Sequence, residues 1–416
     1  MALQTPSSKS NKGAYLALAA AFLGWLFDGF EIGLFPVVAR PALLDMLGSG
    51  HEGDVGIWMG RITAAFLLGA ALGGAAFGWL GDKIGRVRAM SFSILCYSLF
   101  SGAGYFAQEP WHLGAFRFLA ALGMGGEWAL GVALVMEVWP EKHRPWLAGA
   151  IGAAANLGMV IVGVIALYVK VTPDSWRWMF LVGASPAILT FLIRLFVPES
   201  EKWQHAKQEA AHVDGSPLRR VLKGSLLKNT LIGIVLSSVA LIGTWASVQW
   251  IPLWVDSMGT GDATHKATAH MVSSIGAVVG SLFAPMLVGR FSRRWGYFTL
   301  CALSLVVCAY LFRTQTTYTT HLVFTIFLAG TTTAAFYGFF PLYLPELFPT
   351  AVRATGQGLC YNAGRLIAAV GALTGGQLVA HYGGYAQMGA VITLVYAVGM
   401  IAIWFAPETK GKPLPE

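Results

Sequence analysis

The chain has 416 residues, 56% of them hydrophobic and only 12% charged, with a formal net charge of +8. Soluble domains carry about 25% charged residues, so this chain lacks the polar surface needed to live in water. The positive charge is read as membrane topology and attraction to anionic lipid, which sets nucleic-acid binding aside.

Apolar runs long enough to span a roughly 30 Å hydrocarbon core fall, in chain order, at about 14–39, 55–79, 88–107, 111–139, 146–170 and 176–197. A polar, basic stretch at 198–226 follows. Six more runs come after it, at about 227–255, 266–289, 296–313, 321–345, 355–381 and 385–406. The pattern predicts an all-α, multi-pass membrane protein of twelve transmembrane helices. Its expected parts are an N-terminal six-helix half over 1–197, a cytoplasmic linker over 198–226 and a C-terminal six-helix half over 227–416. The first run carries two acids and is too long for a removable signal peptide, so it is expected to stay. Cys96, Cys301, Cys308 and Cys360 all fall inside the runs and read as small apolar residues.

Basic residues set the orientation. With the N-terminus inside, the inward segments collect Lys9, Lys12, Lys83, Arg86, Arg88, Lys142, Arg144, Lys202, Lys207, Arg219, Arg220, Lys223, Lys228, Arg290, Arg293, Arg294, Arg353, Lys410 and Lys412. The outward segments hold Arg40, Lys170, Arg177, Lys266 and Arg313. This asymmetry predicts a cell inner-membrane protein with both termini cytoplasmic.

The two halves read as one unit written twice. Glu137, Pro140 and Arg144 of MEVWPEKHR recur 209 residues later as Glu346, Pro349 and Arg353 of PELFPTAVR. Pro198 of VPES recurs at the same interval as Pro407 of APET. GWLGDKIG at 78–85 matches GRFSRRWG at 289–296, an interval of 211, which sets Arg293 where Asp82 would stand. Parallel repeats of this kind place a substrate site between the halves near mid-membrane.

Some of the charges within the spans are candidates for chemistry. GWLFDGFEIGLF at 24–35 carries Asp28 and Glu31 on one helix face. A charge at the centre of a span costs roughly 2.5–3.5 kcal/mol, so two within one turn call for a reason. Neighbouring carboxyls in a poorly hydrated cavity are suited to carrying a proton; the plain alternative is a static pair that joins helices. Arg117, in the outer half of the fourth span near the depth of Glu31, is an available partner. Glu127 is a third acid on that span, a second relay or a structural partner. Arg61 reads as snorkelling outward. In the C-terminal half, Arg365 of YNAGRLIAAVG lies too deep to snorkel, and its counterpart 209 residues earlier is Asn156. Its planar fork suits a carboxylate, supplied either by an anionic substrate or by Asp28 or Glu127 across the halves. Asn156, Trp245, Gln249, Tyr337, Tyr361 and Asn362 are its candidate lining residues.

GWLGDKIGRVR resembles the loop between helices 2 and 3 of the major facilitator superfamily. RFLAALGMGGE, the two Glu-x-x-Pro-x-x-x-Arg copies, VPES and PETKG resemble its sugar-porter-related branch, and the likeness covers nearly the whole chain. It implies the major facilitator fold and a gating latch of Asp82, Arg86 and Arg88 that stabilises the outward-facing state. Glu137 with Arg144 and Glu346 with Arg353 are expected in the same gating network. GFEIG resembles the helix 1 stretch of sugar:proton symporters, which implies that Glu31 and Arg117 form the proton-coupling pair. Asp28-Gly29-Phe30-Glu31 resembles the paired acids of aromatic-acid symporters, which implies that both acids matter.

The expected function is secondary active transport by alternating access: proton-coupled symport of a small organic anion, of monocarboxylate, aromatic-acid or sugar-acid type. The proton is the coupling ion and no cofactor or metal is expected. The expected partners are substrate, protons and lipid, with the protein a monomer. A sugar or polyol porter is the alternative; against it, SSVALIGTWASVQW lacks the paired glutamines of hexose carriers, and Gln249 stands alone. An enzyme is not expected, since no nucleophile–base set stands out and HEGDV at 51–55 is no HExxH zinc motif.

Overall fold

The computed structural model describes residues 8–48, 50–169, 171–209, 215–258 and 263–416. Lys170 and residues 210–214 of the expected linker lie outside the described residues. Every regular element among the described residues is helical, as a bilayer requires of a chain that must satisfy its backbone internally. The N-terminal half comprises α1 (Ser8–Leu47), α2 (Val55–Ile84), α3 (Arg86–Ala103), α4 (Pro110–Val138), α5 (Arg144–Tyr168), α6 (Trp176–Gly183) and α7 (Ala187–Phe196). Two short helices, α8 (Glu201–Glu209) and α9 (Pro217–Val221), lie in the linker. The C-terminal half comprises α10 (Gly224–Trp245), α11 (Ile251–Ser257), α12 (Ala263–Arg290), α13 (Arg293–Thr314), α14 (Thr320–Tyr343), α15 (Arg353–Tyr382), α16 (Tyr385–Ile392) and α17 (Val395–Ala402).

Among the described residues ten helical segments are long and apolar enough to cross a membrane. The other two expected passes have visible reasons to fall short. α15 has the length, but Arg353, Gln357, Asn362 and Arg365 make it polar. The sixth pass is divided between α6 and α7 at Pro186, which cannot continue the hydrogen-bond ladder. The last pass divides in the same way after Ile392. There Thr393 turns its hydroxyl back onto the Gly389 carbonyl at 2.9 Å, a bond that competes with the helix. α6 and α16 end 209 residues apart, the interval of the sequence repeat.

The halves meet along α2 against α15 and α5 against α12, while α1 packs on α5 and α4 within the first half. Gly29 presses α1 onto the backbone of Ala155, where a methyl group has no room. This close approach brings the acids of α1 to the middle of the bundle.

Candidate functional site

Asp28 and Glu31 are both buried, but three residues of helix turn them towards different neighbours. Glu31 forms an ion pair with Arg117 of α4 through Oε1 and Nη1. The guanidinium lies between the rings of Phe35 and Phe66, at 4.9 and 4.6 Å from their centroids, an arrangement that favours a cation. The other carboxylate oxygen of Glu31 lies against Gly183 of α6, where an added Cβ would stand 2.7 Å from it.

Asp28 faces Glu127 of α4 and, across the halves, Arg365 of α15. Glu127 exerts the larger electrostatic influence on Asp28, and Glu31 the smallest of its charged neighbours. Glu127 sits one turn back along α1, its carboxylate filling the space over Gly24 where a side chain would clash. No third residue hydrogen-bonds the facing carboxyls of Asp28 and Glu127, and Nε and Nη1 of Arg365 and the indole N–H of Trp25 and Trp128 are without partners. Tyr361 stacks on Trp128 with centroids 3.9 Å apart, and Arg365 lies 5.8 Å from the Tyr361 ring. Buried polar groups are normally paired, so this concentration of unpaired ones marks a place built for something other than packing. The four residues expected to share one proton site therefore divide in two: Glu31 and Arg117 form a closed pair, while Asp28 and Glu127 join Arg365 in an open cluster. No ion pair joins Arg365 to either acid.

A cavity of about 60 Å³ opens beside this cluster, between the halves. Its walls come from Asn156 and Met159 of α5, the end of α10 with Thr244 and Trp245, Gln249, the first turns of α12, and Thr333 and Tyr337 of α14. Four of the expected lining residues, Asn156, Trp245, Gln249 and Tyr337, are thus brought together. Tyr361, Asn362 and Arg365 are not on its walls: Tyr361 belongs to the aromatic stack, and Asn362 donates to the Gly125 carbonyl across the halves at 2.9 Å. Tyr337 links the two places, because it also lies within the field of Arg365. His270 of α12 lines the cavity as well. The sequence reading missed it; its signal was an isolated histidine one turn before Ser273 and Ser274 in an apolar run.

Most of the residues expected to gate gather where α2 and α4 end and α15 begins. Arg86 pairs with Asp82 at 2.7 Å and with Glu137 at 2.9 Å. Glu137 also receives Arg353 of the other half at 3.0 Å. Asp82 accepts the backbone N–H of Thr355 at 2.8 Å and of Ala354 at 3.3 Å. It thus caps α15, where the helix dipole favours an anion. These bonds tie the halves together at the basic end.

Three expectations are corrected here. Arg88 is exposed and stands outside the latch. Arg144 pairs with Glu141 at 3.0 Å and not with Glu137, since Glu137 is already taken by two guanidinium groups. Glu346 pairs with Arg293 at 2.9 Å and not with Arg353. Arg293 is the counterpart of Arg86, because each opens its helix and binds the equivalent acid. Glu199 accepts the N–H groups of Arg86 and Val87, and Glu408 those of Arg293 and Arg294. The repeat interval is therefore 207 at this point, and the residue matching Asp82 is Gly289. The two caps differ in setting. Burial pushes Glu199 above the usual carboxylate range despite its bonds. At Glu408 burial is outweighed by hydrogen bonds from Ser292 and the backbone of Arg293, Lys410 and Arg294, which hold it down to about 2.

We expect Glu137→Gln to open the basic end. It removes the carboxylate shared by two buried arginines and leaves Arg353 without its ion-pair partner while Arg86 keeps Asp82, and an uncompensated buried charge costs about 3–5 kcal/mol. The distance between spin labels at positions 83 and 291, in a cysteine-free background, should shift towards longer values by tenfold or more in population. An unchanged distribution would remove Glu137 from the gate.

Compared with known proteins, residues 20–273 and 260–416 match the family model described as Major Facilitator Superfamily. A protein of Cupriavidus pinatubonensis named as a probable 4-methylmuconolactone transporter is 31% identical over 94% of this chain and 90% of its own length. The cis,cis-muconate transport protein of Acinetobacter baylyi is 28% identical over 96% of this chain and 95% of its own. Among solved structures, the proton:xylose symporter XylE bound to 6-bromo-6-deoxy-D-glucose superposes with a TM-score of 0.80 at 20% identity, covering 97% of this chain and 98% of that one. The chain is a multi-pass membrane transporter and belongs to the major facilitator superfamily.

Proposed function

We propose that the protein is a proton-coupled symporter of a small organic anion, working by alternating access in the cell inner membrane with both termini cytoplasmic. The observation that carries this reading is Arg365: a buried guanidinium with two unpartnered nitrogens beside an unpaired carboxyl pair. An incoming carboxylate meets that fork as a bidentate partner, with the rings of Tyr361 and Trp128 as apolar wall. A proton taken up by the Asp28–Glu127 pair offsets the charge the anion brings, so the loaded site can cross the closed state without stranded charge. Glu31 parts from Arg117 when protonated and pairs again when it is not. The names of the two relatives, for a muconolactone and a muconate, agree with an organic-acid substrate.

The likeness to XylE supports the fold; a sugar or polyol porter remains the second reading, and nothing at Arg365 favours a neutral ligand. Proteoliposome uptake across a panel of organic acids and sugars, with and without an inward proton gradient, decides between them. The expected result is accumulation of acids, stimulated by the gradient. Sugar uptake indifferent to the gradient, with no response to acids, would overturn the proposal.

A further inference from the structure

The cavity beside Arg365 has a chemistry of its own. No Asp, Glu, Lys or Arg lines it, so an ammonium or guanidinium group would find no counter-ion there. What its walls offer is donors: the amide of Gln249, the hydroxyl of Tyr337 and the imidazole of His270, since the Asn156 amide is spent on Gly152 and Ser281 and the Thr333 hydroxyl on Ala329. His270 is the informative member. Its backbone carbonyl takes the Ser274 hydroxyl at 2.9 Å, yet among the described residues nothing hydrogen-bonds its ring nitrogens. A half-buried imidazole that faces a cavity with its ring nitrogens free is placed to bond whatever enters there.

Size narrows the occupant. About 60 Å³ is well below the about 300 Å³ or more of small-molecule pockets. The space fits one oxygen-rich end group and not a whole substrate. Tyr337, which both lines the cavity and lies in the field of Arg365, connects this space with the first anchor.

We propose that His270 marks a second acceptor subsite, so that the preferred substrates are organic acids with two oxygen-rich ends, one carboxylate on Arg365 and a second carboxylate or carbonyl at His270 and Gln249. The proposal rests on the reading of Arg365 as first anchor, and its failure can be told from the failure of that reading.

Calorimetric titration of the purified full chain with benzoate and with terephthalate, which adds one carboxylate at the far end of the same ring, tests it. The wild type should bind terephthalate at least tenfold more tightly. His270→Gln and Gln249→Ala should bring the ratio to within threefold while benzoate affinity stays within twofold, in variants that keep the wild-type melting temperature. Gln249 is exposed, so its variant stays informative should the histidine change impair folding. Arg365→Gln should lose both ligands. A wild type without preference, or a preference untouched in both cavity variants, overturns the subsite while leaving Arg365 as anchor. Failure of the wild type to bind either acid overturns both readings.

Discussion

Arg365→Gln is expected to abolish uptake of the organic anion and to weaken its binding by a hundredfold or more. The side chain is buried, and no acid neutralises it directly. A desolvated, hydrogen-bonded charge pair is worth about 2–5 kcal/mol on truncation of one partner, or about 30-fold to several thousand-fold in affinity. Glutamine keeps a donor but loses both the charge and the fork. Arg365→Lys restores the charge alone and is expected to recover only part of the affinity, since a point charge does not reproduce bidentate geometry. Titration calorimetry beside uptake separates binding from turnover. Full uptake by Arg365→Gln would show that the anion sits elsewhere.

The acid variants should divide into two classes, because the structure divides the acids. Asp28→Asn and Glu127→Gln are expected to stop proton-driven accumulation by tenfold or more, yet to retain exchange of labelled substrate between two loaded sides. Neither carboxylate is tied in an ion pair, so an amide at either position removes a titrating group without stranding a charge. Glu31→Gln does strand one: Arg117 loses its one acidic partner among the described residues, in a buried site. Breaking such a pair from one side costs about 3–5 kcal/mol, so this variant is expected to melt lower as well as to fail in transport. The double change Glu31→Gln with Arg117→Met, which removes both charges, should recover stability without recovering coupling. Accumulation that survives amides at Asp28 and Glu31 together would reduce these acids to helix-joining groups.

Much of this was legible in the residues. The runs, their lengths and the doubled motifs state the number of passes and their pairing into halves, because a bilayer leaves the chain few choices. Glu31 and Arg117 could be matched by depth along two spans. Arg365 stood out because a guanidinium in an apolar run cannot be accidental. What stayed hidden depends on rotation about the helix axes. Whether Asp28 looks at Glu31 or at Glu127 turns on the missing side chain of Gly24, which makes the space that Glu127 fills. Whether Tyr361 faces a cavity or a stack turns on Trp128. The latch misled for a related reason. Matching letters set Arg293 opposite Asp82, whereas matching helix starts set it opposite Arg86, and only coordinates show where a helix begins.

The tie at the basic end is held from one side. Asp82 and Glu137 of the first half grip α15 and Arg353 of the second, while Gly289 has no side chain with which to return the grip. Duplication thus left two units of matching shape and unequal strength, one the clasp and the other the eye. In the proposed cycle these two carboxylates set how readily the door swings. They lie apart from the proposed anion site, so that on this reading speed and selectivity are free to evolve by separate substitutions.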